Sequence, residues 1–178
     1  MEKIVNDFTI NISTANGTGS QSANLILLNS LFRMGAHVSG KNLFPSNIAG
    51  LPTWYIVRVS DYGYQAPGDE THIQILMNID TWAEDLAELS PGSVVIYNTD
   101  VKAPVDRDDL ILYPASMTSM ARELNPKLAK MVANMIYVGV MAEMLEIPQK
   151  IVEEAIAKQF KGKEKAIEIN SKASIMGR

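Results

Sequence analysis

The segment FTINISTANGTGSQSANLILLNSLF, which begins at Phe8, changes its period within a few residues, and that change limits how the chain can fold. Phe8, Ile10 and Ile12 alternate with Thr9, Asn11 and Ser13, the spacing of a strand. From Gln21 onward, Leu25, Leu28, Leu31 and Phe32 recur at helical spacing, and Ile26 and Leu27 widen the apolar face. Between the two lies a polar loop, Asn16 to Ser22, that contains Gly17 and Gly19. Glycines accept positive φ and let a ligand approach the backbone, while the hydroxyls of Thr18, Ser20 and Ser22 can donate. Free N–H groups and the positive end of the helix dipole face the same spot, worth about 0.3 to 2 kcal/mol for an anion. This is a phosphate-binding layout. A tight strand-to-helix turn capped by Ser20 or Ser22 explains the same residues and stays open.

Charge supports the first reading. The chain carries 20 acidic and 16 basic residues, yet Phe8 to Ser60 holds no aspartate or glutamate where an even spread would put about six. Its charges are Arg33, Lys41 and Arg58, so the stretch tolerates a negatively charged partner. A dinucleotide site is disfavoured: Ser22 stands where the fingerprint wants its third glycine, and the run SGKN with Lys41 occupies the region of the ribose-binding acid. The kinase-like P-loop is missing as well, because no Gly-Lys-Ser/Thr follows at the required spacing.

Downstream, strand candidates at Thr53 to Ser60, Ile73 to Ile79, Ser93 to Tyr97 and Leu110 to Tyr113 alternate with helical stretches. Thr81 is placed to cap the helix WAEDLAEL, and Pro126 and Pro148 read as early helix residues. The pattern predicts an α/β fold in three layers, with a mostly parallel sheet, helices on both faces and a helical C-terminal part. At 178 residues and 47% hydrophobic content, a single domain over 1–178 is expected. The helix from about Pro126 to Glu146 is apolar on much of its circumference, which suits either a core position or contact with another subunit through residues such as Met141 or Met144. Asn134 is placed to hydrogen-bond a neighbouring loop, and Gly139 to allow close helix approach.

Several chemistries lack their residues. With no cysteine, the chain offers no thiolate for an iron–sulfur cluster and no disulfide. His37 and His72 lack paired ligand spacing, and Asp106, Asp108 and Asp109 lack the calcium-loop pattern, so no metal site is expected. The start MEKIVNDF does not read as a signal peptide and no apolar run reaches the roughly 18 residues of a membrane span, so a cytoplasmic location is expected.

The loop G-T-G-S-Q-S, the run SGKNLFPSNIAGLP, the strand WYIVRVS and the helix with Asn134 and Gly139 together resemble the gamma domain of 2-oxoacid:ferredoxin oxidoreductases, over nearly the whole chain. The common pattern there is G-x-G-G-Q-G. This chain keeps Gly17, Gly19 and Gln21 but has Ser20 and Ser22, and so resembles the version fused to the front of the alpha subunit in 2-oxoglutarate-type enzymes. The resemblance implies a multisubunit enzyme that converts a 2-oxoacid and coenzyme A to an acyl-CoA and carbon dioxide and reduces ferredoxin. It favours 2-oxoglutarate over pyruvate, and it fits both a domain associated with the alpha subunit and one cut at Arg178 from a longer fused alpha subunit. Thiamine diphosphate, magnesium and iron–sulfur clusters would then sit on the alpha and beta partner portions. By matching positions, Gly17, Thr18, Gly19, Ser20, Gln21 and Ser22 would face the phosphates of coenzyme A, with Lys41 and Asn42 nearby. No catalytic residue is expected in this chain, and neither nucleic acid nor membrane among its partners; an oligomer is. A stand-alone nucleotide-binding protein and a purely structural assembly domain remain the alternatives.

Overall fold

Strand β1 (Asp7–Ala15) pairs on both sides, parallel with β4 (Ile73–Leu76) and antiparallel with β3 (Pro52–Ser60). The computed structural model describes residues 6–45, 48–66, 68 and 70–178. These form two compact units. The first comprises the chain up to Gly17 and Ala36–Ala115; the second comprises Thr18–Gly35 and Ser116–Arg178.

The first unit is a six-stranded sheet in the order β2-β3-β1-β4-β5-β6, with β2 at Val38–Leu43, β5 at Val94–Asn98 and β6 at Ile111–Ala115. β1, β4, β5 and β6 run parallel, and β3 is antiparallel to β1 and β2, so the mostly parallel α/β sheet is as expected. Ile10 and Ile12 are fully buried, and so, on the opposite face of β1, are Thr9 and Ser13. The alternation therefore separates an apolar from a polar buried face, not core from solvent. Ser13 Oγ accepts from Gln74 Nε2 at 2.8 Å, a neighbour one strand away on that polar face.

Strand β4 is buried at all four positions, as a strand covered on both faces requires. It stops at Leu76, three residues short of the expected Ile79, because Asn78 Oδ1 accepts from the Asp80 amide and turns the chain. Helix α2 (Trp82–Ala87) follows and packs Trp82 and Leu86 against Leu76, Leu89, Val95 and Leu110. Thr81 does precede the helix, but its hydroxyl donates to Asp85 Oδ2 at 2.7 Å instead of closing a backbone N–H. Asp85 also accepts from Trp54 Nε1 at 2.8 Å.

The second unit is helical: α1 (Ser20–Arg33), α3 (Met117–Leu124), α4 (Ala129–Met144), α5 (Gln149–Gln159) and α6 (Glu164–Met176). α1 buries Ala23, Asn24, Ile26, Leu27, Ser30 and Leu31, whereas Phe32 is 65% exposed, so small and polar residues belong to the packed stripe that leucine spacing alone suggested. α4 is enclosed along most of its length, and Met135 and Met141 are fully buried. Met141 is therefore a core residue, not the interface residue it could have been. A Cβ on Gly139 would lie 2.1 Å from the Ser174 carbonyl oxygen, so the expected close approach is real, and α6 is the helix that makes it.

The prolines lie slightly before their helices. Pro126 sits in a turn where Asn125 Oδ1 accepts from the amides of Lys127 and Leu128, and Pro148 occupies the N-cap of α5. Among the described residues no helix is long and apolar enough to cross a membrane.

Candidate functional site

Ala15 ends β1, and Gly17 (φ +82) and Gly19 (φ +80) then both adopt the left-handed conformation that side chains resist. Gly19 is the N-cap of α1. It has no side chain with which to close the helix start, so the N-cap position, which falls on Gly19 and not on Ser20 or Ser22, makes no side-chain cap bond. The first turn also lacks an acid, so the partial positive charge of the helix start is not offset there. Ser20 is buried, Ser22 half-buried and Gln21 exposed. The Ser22 amide bonds back to the Gly19 carbonyl at 3.2 Å. Asn134, 2% exposed on α4, donates from Nδ2 to the Thr18 carbonyl at 2.7 Å, which is the loop contact the sequence anticipated.

Gly17 belongs to the first unit, where a different neighbour meets it. The Asn16 amide donates to the Leu51 carbonyl and the Gly50 amide to the Asn16 carbonyl, both at 2.8 Å, and a Cβ on Gly17 would touch Ala49 at 3.4 Å. Ile48 to Leu51 of the run FPSNIAGLP thus brace the end of β1; Ser46 and Asn47 lie outside the described residues.

Lys41 and Asn42 are on β2, an edge strand that the polar run SGKN did not announce. The register places Lys41 level with Asn11 and Asn42 level with Ile12, across β3. Lys41 is therefore about 10 Å across the sheet and about 13 Å short of the end of β1, at standard strand spacings. Within this unit the two residues are not gathered beside Gly17.

A cavity of 640 Å³ opens in the second unit at the start of α1. Gly19 and Ser22 form one wall, Met131 and Met135 of α4 another, and Phe160 and Ile169 bracket the α5–α6 turn. Lys163, Glu164 and Lys165 also line it. Nothing in the local pattern announced this cavity, because its walls come from three separate stretches of chain. The available signal was the run KQFKGKEK, four lysines within residues 158–165, which reads on its own as a solvated turn.

His72 and Asp109 have structural partners. His72 Nδ1 accepts from the Thr9 amide at 3.2 Å. Arg107 donates to both oxygens of Asp109 at 2.6 Å and to the carbonyls of Leu86 and Leu89. That hydrogen-bonded guanidinium holds the Asp109 carboxyl below the usual carboxylate range. Among the described residues no group of His, Asp or Glu is arranged to hold a metal ion.

A family model described as pyruvate ferredoxin/flavodoxin oxidoreductase matches residues 9–178. The chain belongs to that family. Subunit alpha of 2-oxoacid:ferredoxin oxidoreductase 2 from Aeropyrum pernix is 22% identical over 208 residues, covering 94% of this chain and 32% of that protein. Among solved structures, the 2-oxoglutarate:ferredoxin oxidoreductase of Magnetococcus marinus, with 2-oxoglutarate, coenzyme A and succinyl-CoA bound, matches with a TM-score of 0.86 at 22% identity. That match covers 98% of this family member and 31% of the Magnetococcus chain. The gamma subunit of the keto/oxoacid ferredoxin oxidoreductase of Geobacter sulfurreducens matches at 0.77 with 19% identity, covering 96% of this chain and 95% of its own. The pyruvate oxidoreductase subunit PORC of Thermotoga maritima matches at 0.76 with 18% identity over 97% and 96%. The same fold thus occurs as a whole subunit and as about a third of a longer chain.

Proposed function

We propose that this chain is the gamma domain of a 2-oxoacid:ferredoxin oxidoreductase and that it contacts coenzyme A through the loop Gly17 to Ser22. The observation that carries the reading is the opening of α1, where the N-cap residue Gly19 brings no side-chain cap bond and the surrounding stretch is free of acids. Backbone N–H groups there can bind phosphate oxygens without a lysine in the loop itself. Lys41 and Asn42 belong to the same reading as more distant contributors of charge and hydrogen bonds.

The serines at 20 and 22 favour a fused enzyme of the 2-oxoglutarate type over a pyruvate enzyme. The neighbour that binds 2-oxoglutarate and coenzyme A, in which this fold is also about a third of the chain, supports that preference. Thiamine diphosphate, magnesium and iron–sulfur clusters reside on the alpha and beta portions, and ferredoxin is reached through the complex. A chain without cysteine has no ligand of the usual kind for a cluster, so the domain positions a co-substrate and supports assembly while the reactive groups lie elsewhere.

The test is calorimetry of coenzyme A on the intact enzyme. Gly19→Val adds a branched side chain at positive φ, against Met131, and should weaken binding at least tenfold. Unchanged affinity would return the loop to a plain turn. The purified chain by itself should give no 2-oxoacid-dependent dye reduction, and a measurable rate would overturn the assignment of chemistry to its partners.

A further inference from the structure

We infer that the cavity of the helical unit receives the adenosine 3′-phosphate end of coenzyme A, with Lys163 and Lys165 as the cations that read the 3′-phosphate. This rests on the coenzyme A reading above and adds a place for the part of the molecule that the glycine loop does not address. The cavity begins at Gly19 and Ser22, so a ligand whose diphosphate lies over the start of α1 enters it directly. Its volume of 640 Å³ lies within the range of about 300 to 1,000 Å³ common for ligand sites.

The lining sorts by chemistry in the way an adenosine 3′-phosphate requires. Met131, Met135 and Phe160 offer polarizable thioethers and an aromatic face to a purine ring. Lys163 and Lys165 flank Glu164 at the start of α6, so this part of the lining carries a net positive charge. Both lysines are exposed. Lys163 bonds through its backbone to Phe160, Ala166 and Ile167, but among the described residues neither lysine's ammonium group has a hydrogen-bond or ion-pair partner, which leaves both available to an anion. Glu164 keeps the site from binding any polyanion indiscriminately, since its carboxylate repels a phosphate placed off centre.

Calorimetry with two probes, coenzyme A and dephospho-coenzyme A, isolates the 3′-phosphate. The intact enzyme should prefer coenzyme A by tenfold or more. The K163A/K165A double variant should lose most of that preference by weakening coenzyme A alone, and its coenzyme A affinity should depend less on salt. Met131→Trp, which fills the cavity from a half-exposed wall position, should weaken both probes. The inference fails if the wild-type enzyme binds the two probes equally, or if the double variant keeps the preference. Should Gly19→Val abolish coenzyme A binding while the lysine and Met131 variants do nothing, the loop reading stands and the cavity assignment falls. If none of these variants alters coenzyme A binding, both fall together.

Discussion

Asn134 Nδ2 donates to the Thr18 carbonyl at 2.7 Å, so an amide buried in α4 holds the loop that opens α1. A second bond, to the Met131 carbonyl at 3.4 Å, fixes the side chain against its own helix. The Thr18 peptide is thereby oriented and the N–H groups that follow it are pre-aimed, which lowers the ordering cost of binding an anion there. Asn134→Ala should therefore cost about 1 to 3 kcal/mol of stability. In the intact enzyme it should also weaken coenzyme A without removing any group that touches it. Thermal unfolding and calorimetry on the same samples check both effects, and a variant that loses stability alone would make Asn134 purely architectural.

Gly139 and Gly177 meet where α4 and α6 cross. A Cβ on Gly139 would lie 2.1 Å from the Ser174 oxygen, and one on Gly177 would lie 2.1 Å from the Ile136 oxygen. Backbone cannot step aside as a side chain can, so Gly139→Ala should separate the helices and cost about 1 to 3 kcal/mol or more, despite alanine's better helix propensity. Denaturant midpoints measure this directly; a stabilised variant would mean that the two helices can part at little cost.

Met141 and Met131 sit on the same helix and should respond oppositely to charge. Met141 has no exposure, and a lysine there leaves an unpaired ammonium in the core, so Met141→Lys should lose its helical circular dichroism at ordinary temperature. Met131 is 49% exposed, and Met131→Lys should keep the fold. A folded Met141→Lys would contradict the packing described for α4.

Acid should loosen the turn at Arg107. Asp109 is held below its ordinary range, chiefly by its hydrogen bond from Arg107, so its contribution is complete above the unfolded-state value near 3.9 and is lost as pH falls through the lower folded value. The pair is exposed and the effect small. Comparing denaturant midpoints of wild type and Arg107→Gln from about pH 5 down to about pH 2 should show a shallower acid slope in the variant. Parallel slopes would mean the pair contributes nothing.

How far the sequence could be read depended on whether a signal was local. β1, its loop and α1 were legible because the period changes from two to helical within one short segment. β2 was hidden: Val38–Leu43 pairs on one side only and has no alternation to betray it. Asn134 is legible as a polar interruption of an apolar helix, a conflict that needs a partner to resolve it. Lys163 and Lys165 are not legible as site residues, since lysines in a turn ordinarily face water and only the fold puts them on the same cavity as Gly19. Lys41 illustrates the converse, a conspicuous charge in an acid-free stretch that the strand register sets away from the end of β1.

The interleaving of the two units has a consequence for biosynthesis. α1 is made early, but the residues it packs on are late: Asn24 bonds Tyr137, Arg33 pairs with Glu154, and Ser22 accepts from Gln159, 137 positions further along. At roughly 5 to 20 residues per second, a ribosome needs on the order of ten seconds or more to deliver them. During that interval α1, whose Ile26, Leu27 and Leu31 are buried in the finished fold, lacks the later helices α4 and α5 that it contacts. Slow translation or scarce chaperone should therefore harm this fold at α1 before anywhere else.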